Sequence, residues 1–74
     1  MTIGQSIQRI RESRGYNRRR LAEESGISYT SIDNWEHDKA FPNIINVWTI
    51  ADILEVSIDE LIGRSVGADG GEGR

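Results

Sequence analysis

Three consecutive arginines, Arg18, Arg19 and Arg20, form the densest run of charge in this 74-residue chain. They follow Asn17, a residue type that caps helices, so all three fall in the first turn of a helix. A cation there opposes the helix dipole, at a cost of about 0.3–1 kcal/mol each. A bound phosphate would reverse that cost, because the helix N-terminus and the guanidinium groups attract it together. The alternative is pairing within the helix, since Glu23 and Glu24 follow Arg19 and Arg20 at the four-residue spacing of an ion pair. Both accounts stand open for Arg19 and Arg20, whereas Arg18 has no such partner on its own helix. Other chemistries lack residues. The chain has no cysteine and one histidine, His37, with no identifiable catalytic partner, so neither an enzyme nor a metal or cofactor site is expected.

Capping residues and apolar spacing divide the chain into five helices. The first begins after Thr2, with Gln5 completing a capping box and Ile3, Ile7 and Ile10 as its apolar stripe, and ends at Gly15. Asn17 caps the second, with Tyr16 and Leu21 at the spacing of a hydrophobic staple, and Gly26 closes it. The same pattern recurs at Ser28, flanked by Ile27 and Ile32, and at Ser57, flanked by Val56 and Leu61 with Glu60 as the reciprocal cap. Between them Pro42 and Asn43 start a helix over 44–54, with Ile44, Val47, Ala51 and Leu54 expected on its buried face. Nothing alternates like a strand, so the expected class is all-α.

Residues 17 to 37 thus read as two short helices joined by the turn Gly26-Ile27-Ser28, a layout that can seat one helix in the DNA major groove while the other braces it. At 100° per residue, Ile32 and Trp35 of the second of these helices face inward, and Thr30, Asp33, Asn34 and His37 face outward. A solvated surface is the ordinary reading of such a face; the turn before it favours DNA.

The net charge of −3 argues against a nucleic-acid partner at face value, but the charge is unevenly spread. Residues 1–39 carry seven basic and six acidic residues, and residues 40–74 two and six, so the acidity lies in the C-terminal half. That polarity is compatible with DNA binding through the other face. Without disulfide or metal, a domain this small must rest on helix packing. The N-terminal segment MTIGQSIQRIRESRG has no apolar run before a cleavage site, and no segment is long enough to span a bilayer. A soluble cytoplasmic protein is expected. Residues 1–63 are expected to form the domain. Residues 64–74 are expected to form a flexible glycine-rich tail, since five glycines fall within 63–74 and little there could be buried.

Several residues recur at set spacings: Ile7 and Arg11; Leu21-Ala22; Gly26-Ile27-Ser28; Ile32 and Glu36; Pro42, Ala51 and Leu54; and Val56-Ser57-Ile58-Asp59-Glu60-Leu61. On these the stretch from Ile3 to Ile62 resembles the Cro and lambda-repressor (Xre-type) family of helix-turn-helix DNA-binding domains. The resemblance implies a compact five-helix domain in which Arg11 and Glu36 form a shielded salt bridge between helices 1 and 3. It also implies base reading by Tyr29, Thr30 and Asn34. Of these, the Asn34 amide can pair bidentately with adenine, and Tyr29 or Thr30 can rest on a thymine methyl. Asn17, Arg18, Arg19, Ser28, Lys39 and Asn43 are the expected phosphate contacts. Two positions depart from the family: Arg18 stands where glutamine is common, and Asp38 where glycine is usual.

The function so implied is a sequence-specific regulator of transcription, most simply a repressor, bound to double-stranded DNA as a homodimer on a two-fold operator. Helix 4 holds eight apolar residues among its eleven, more than one stripe needs, so Trp48, Ile58 and Ile62 are expected to line the contact between subunits. The alternative is a protein-interaction module, antitoxin-like or anti-regulator, presenting Asp52, Glu55, Asp59 and Glu60 to a protein partner. Cations gathered beside helix 3 favour DNA; arginines all paired internally favour the interaction module.

Overall fold

Each helix of the computed structural model starts at a side chain that accepts a backbone N–H. Among the described residues, 2–62, the helices are α1 (Ile3–Ser13), α2 (Arg18–Ser25), α3 (Tyr29–Glu36), α4 (Ile44–Leu54) and α5 (Ile58–Ile62), with no strand. The tail expected at 64–74 lies outside the described residues. Thr2 and Gln5 form the capping box of α1, and Ser57 and Glu60 cap each other's backbone at α5. Asn17, Ser28 and Asn43 accept from the third residue of α2, α3 and α4. Each such cap contributes about 1 kcal/mol, by satisfying a donor that the helix itself leaves free.

The core is assembled from one face of each helix: Ile7 and Ile10, Leu21, Ile32 and Trp35, Val47, Ile50, Ala51 and Leu54, and Leu61. Helix α1 lies against α3 and α5, α2 against α3 and α4, and α4 against α5. The buried Ser6 hydroxyl donates to the Glu60 carbonyl at 3.3 Å, tying α1 to α5. Gly4, also buried, lets α1 approach the C-terminal end of α3, where a β-carbon would meet the Trp35 carbonyl and the Asp38 carboxylate.

Helix 4 corrects one expectation. Its buried stripe is Val47, Ile50, Ala51 and Leu54, and Ile44 is 67% exposed. The observed stripe has the i, i+3, i+4, i+7 spacing of a helix face, and Ile44 sits roughly 70° from its centre in the first turn.

Two residues other than glycine take the left-handed conformation, Asp38 at φ 60° and Glu55 at φ 59°. Glu55 is the C-cap of α4, a position that suits glycine, and its carboxylate lies at the negative end of the helix dipole. Glu55→Gly is therefore expected to stabilise the domain by about 0.5–1 kcal/mol, as relief of left-handed strain outweighs the added freedom of the unfolded chain. A higher urea midpoint with an unchanged m-value checks this.

Candidate nucleic-acid interface

Gly26 takes the left-handed conformation, φ 76°, at the C-cap of α2, so the chain turns sharply and α3 begins after Ser28. Leu21, Ile32 and Trp35 are buried where α2 and α3 meet the core, with Ala22 and Ile27 packed against its edge. The helix pair is thereby fixed, with the remaining face of α3 outside. Tyr29 is 49% exposed, Thr30 is exposed, and Asn34 is half-buried beside them.

A charge cluster locks α3 to the two helices before it. Arg11 forks onto Glu36, Nε to Oε2 at 2.7 Å and a terminal nitrogen to Oε1 at 2.9 Å. Its other terminal nitrogen donates to the Tyr16 carbonyl at 2.8 Å, so the same side chain also holds the turn into α2. The Glu36 side chain is fully buried and that of Arg11 is 6% exposed. A second arginine reaches the same carboxylate, with Arg18 Nε donating to Glu36 Oε1 at 2.7 Å.

That contact gives Arg18 a partner that its own helix does not offer. The hydrogen bond to Glu36 outweighs desolvation and holds the Arg18 guanidinium pKa above its ordinary value. Asp33, on the outward side of α3, lies 3.9 Å from Arg18 Nε and 3.4 Å from the His37 ring. Its charge is thus partly balanced by the Arg18 guanidinium.

The other cations divide. Arg20 pairs with Glu24 at 3.0 Å and lies 4.0 Å over the Tyr16 ring, and Arg20 and then Tyr16 hold the Glu24 carboxyl below its usual value. No carboxylate among the described residues lies within ion-pair distance of Arg19 or Lys39. Asn17, Arg18, Arg19 and Tyr29 line one open hollow of about 570 Å³ together with Arg11 and Glu12. Its polar walls and the N-terminus of α2 suit an anion. Ser28 and Asn43 spend their side-chain acceptors on the caps of α3 and α4, and Lys39 follows α3 in the connection to α4.

Of the three residues expected between subunits, Trp48 is 63% exposed, whereas Ile58 and Ile62 are half-buried against the core. The reach of Arg18 to Glu36 has no local sequence signal, because the two residues are eighteen apart and meet only through the crossing of α2 and α3.

The sequence pattern of the helix-turn-helix family matches residues 7–61. Among characterised proteins, the chain is similar to the cryptic phage CTXphi transcriptional repressor of Vibrio cholerae, 39% identical over 86% of this chain and 57% of that protein. It is similar to the transcriptional activator BcrR of Enterococcus faecalis, 32% identical over 84% of this chain and 30% of that protein. The immunity repressor of Bacillus phage phi105 is 29% identical over 86% of this chain and 44% of its own length. The chain thus spans little more than half of the first of these relatives and less of the others. No solved structure matches it.

Proposed function

The chain belongs to the helix-turn-helix family, and from that premise we propose that it binds a specific site on double-stranded DNA and regulates transcription, most simply as a repressor. Helix α3 enters the major groove, and two copies occupy a two-fold operator with half-sites about one helical turn apart. The observation that carries this reading is the α2–α3 pair itself. Its left-handed turn at Gly26 presents a polar face of α3, with Arg19 and Lys39 on either side and no carboxylate among the described residues within ion-pair distance of them.

Tyr29, Thr30 and Asn34 are the base readers in this reading. Arg19, Lys39, Asn17, Ser28 and Asn43 contact phosphates. Arg18 does so with the terminal nitrogens that Glu36 leaves free, while its Nε steadies α3. The excess of acidic residues in the C-terminal half stays away from the duplex and sharpens the dependence on salt.

Selection from a random duplex library, followed by titration of the winner against a scrambled duplex at two salt concentrations, tests the reading. A palindromic winner with a clear preference is expected; equally weak, salt-sensitive binding to both duplexes would overturn it in favour of a protein partner. Within that assay, Asn34→Ala is expected to relax preference at one base pair, at about 1–3 kcal/mol of discrimination. Arg19→Ala is expected to weaken binding to all duplexes alike and to lower the salt slope by about one.

A further inference from the structure

His37 completes the outward stripe of α3. Thr30, Asp33, Asn34 and His37 follow one another at the i, i+3, i+4, i+7 spacing of a single helix face, and His37 is the C-cap of α3, with its side chain 51% exposed. Its ring is held in place. Nδ1 lies 2.8 Å from the backbone carbonyl oxygen of Asp33, one turn earlier, and a carbonyl oxygen only accepts, so Nδ1 carries a hydrogen. A second proton must therefore enter at Nε2, which no hydrogen bond among the described residues engages. In the neutral ring Nε2 accepts a hydrogen bond; in the charged ring it donates one.

We propose that His37 is a further DNA contact of this helix, made only by the imidazolium, so that the grip on the duplex strengthens as pH falls through the imidazole range. The inference rests on the DNA-binding reading above. The surrounding charges give it direction. On α3, a carboxylate oxygen of Asp33 stands 3.4 Å from His37 Nδ1, and from α2 the Arg18 Nε stands 3.9 Å from that same oxygen. Asp33 is the one carboxylate of the outward stripe, so its charge opposes a phosphate more strongly while His37 is neutral than when His37 is protonated. Arg11 of α1 is engaged with Glu36 in the interior, and α1 meets this end of α3 at Gly4, which carries no charge. In the connection that follows, Asp38 and Lys39 have opposite charges. The negative end of the α3 dipole also favours a cation at this position. A neutral ring offers a phosphate only a lone pair at Nε2, whereas the imidazolium gives it a charged hydrogen bond. Duplex and proton thus bind together, each raising the affinity for the other.

Titration of the library-selected duplex at pH 6 and pH 8, at fixed ionic strength, tests the proposal beside the variants His37→Gln and His37→Lys. The chain has one histidine and no cysteine, so the imidazole is the side chain whose ordinary titration falls between these values. The unaltered chain is expected to bind about fivefold tighter at pH 6 than at pH 8, beyond any change shown by the glutamine variant, with a salt slope steeper by about one at pH 6. The lysine variant should keep the tighter affinity at both values. The position is exposed, so far-UV circular dichroism of both variants should match that of the unaltered chain. Proton NMR of the single imidazole gives a second readout, in which the titration midpoint should rise when the duplex is added. An equal pH response in the unaltered chain and the glutamine variant, or a midpoint that the duplex leaves in place, overturns this inference and leaves the DNA-binding reading intact. Binding without preference for any duplex at either pH overturns that reading, and this inference falls with it.

Discussion

Glu36→Ala is expected to lower the stability of the domain by about 3–5 kcal/mol, the cost of removing one partner from a buried ion pair. The loss is large because the Glu36 side chain is fully buried and accepts from two arginines, at 2.7 and 2.9 Å from Arg11 and 2.7 Å from Arg18. Without the carboxylate, the Arg11 guanidinium is left desolvated between α1 and α3, with the Tyr16 carbonyl as its remaining hydrogen-bond acceptor and the exposed Glu12 carboxylate 3.8 Å away. Small domains hold about 0.05–0.15 kcal/mol per residue, so a change of this size would unfold much of the population. Arg18→Ala should cost far less, about 1 kcal/mol at most, because that side chain is 26% exposed and solvent screens its half of the cluster. Urea unfolding of both variants, followed by circular dichroism, checks the contrast. Equal costs would mean that the contact to Arg18 carries the whole contribution of Glu36 and that the buried fork from Arg11 adds nothing, against the asymmetry of their exposure.

Gly4→Ala carries the second large effect, and its sign runs against helix propensity. Alanine in place of glycine inside a helix ordinarily gains up to about 1 kcal/mol. At Gly4 an added β-carbon would fall well inside contact distance of the Trp35 carbonyl oxygen, and 2.7 Å from the Asp38 carboxylate. The first obstacle is backbone and cannot rotate aside, so α1 and the end of α3 must separate, which also strains the Arg11–Glu36 pair between the same helices. Overpacking of this kind costs about 1–3 kcal/mol, and with the pair disturbed the upper part of that range is expected as a net loss. For a domain of this size, that is a fall of about 10–20 °C in melting temperature. Gly15 is the control: its φ of 77° would strain alanine, but nothing lies within 4 Å of the added carbon, so Gly15→Ala should cost only about 1–2 kcal/mol. A melting temperature raised by Gly4→Ala would show that α1 and α3 are not in close contact.

The difference between these two glycines also shows what can be read from residues alone. Caps and staples act over three to five positions, so Thr2, Asn17, Ser28, Asn43 and Ser57 announce the helix starts, and the structure places all five there. Gly26 as the turn between α2 and α3 was legible for the same reason. Gly4 was not, because a glycine near a helix start looks merely permissive until another backbone is found beside it. Ile44 fits a buried stripe by periodicity because α4 is apolar on almost every side; which face turns inward is decided by the neighbours of α4, and Ile50 fills the place instead. Among the candidate interface residues, the polar face of α3 followed from helical angles. The sharing of Glu36 by Arg11 and Arg18 depends on three helices converging and has no counterpart in local spacing.

The two tryptophans differ in access to solvent as far as such residues can in a domain this small, Trp35 at 4% exposure and Trp48 at 63%. In optical terms the protein carries two independent chromophores, one shielded within the fold and one open on α4. Ionic quenchers reach only the second, so the quenchable part of the emission reports what lies against α4 and the protected part reports the integrity of the interior. Assembly and unfolding, which a single spectroscopic signal would merge, are therefore separable in one sample without any label.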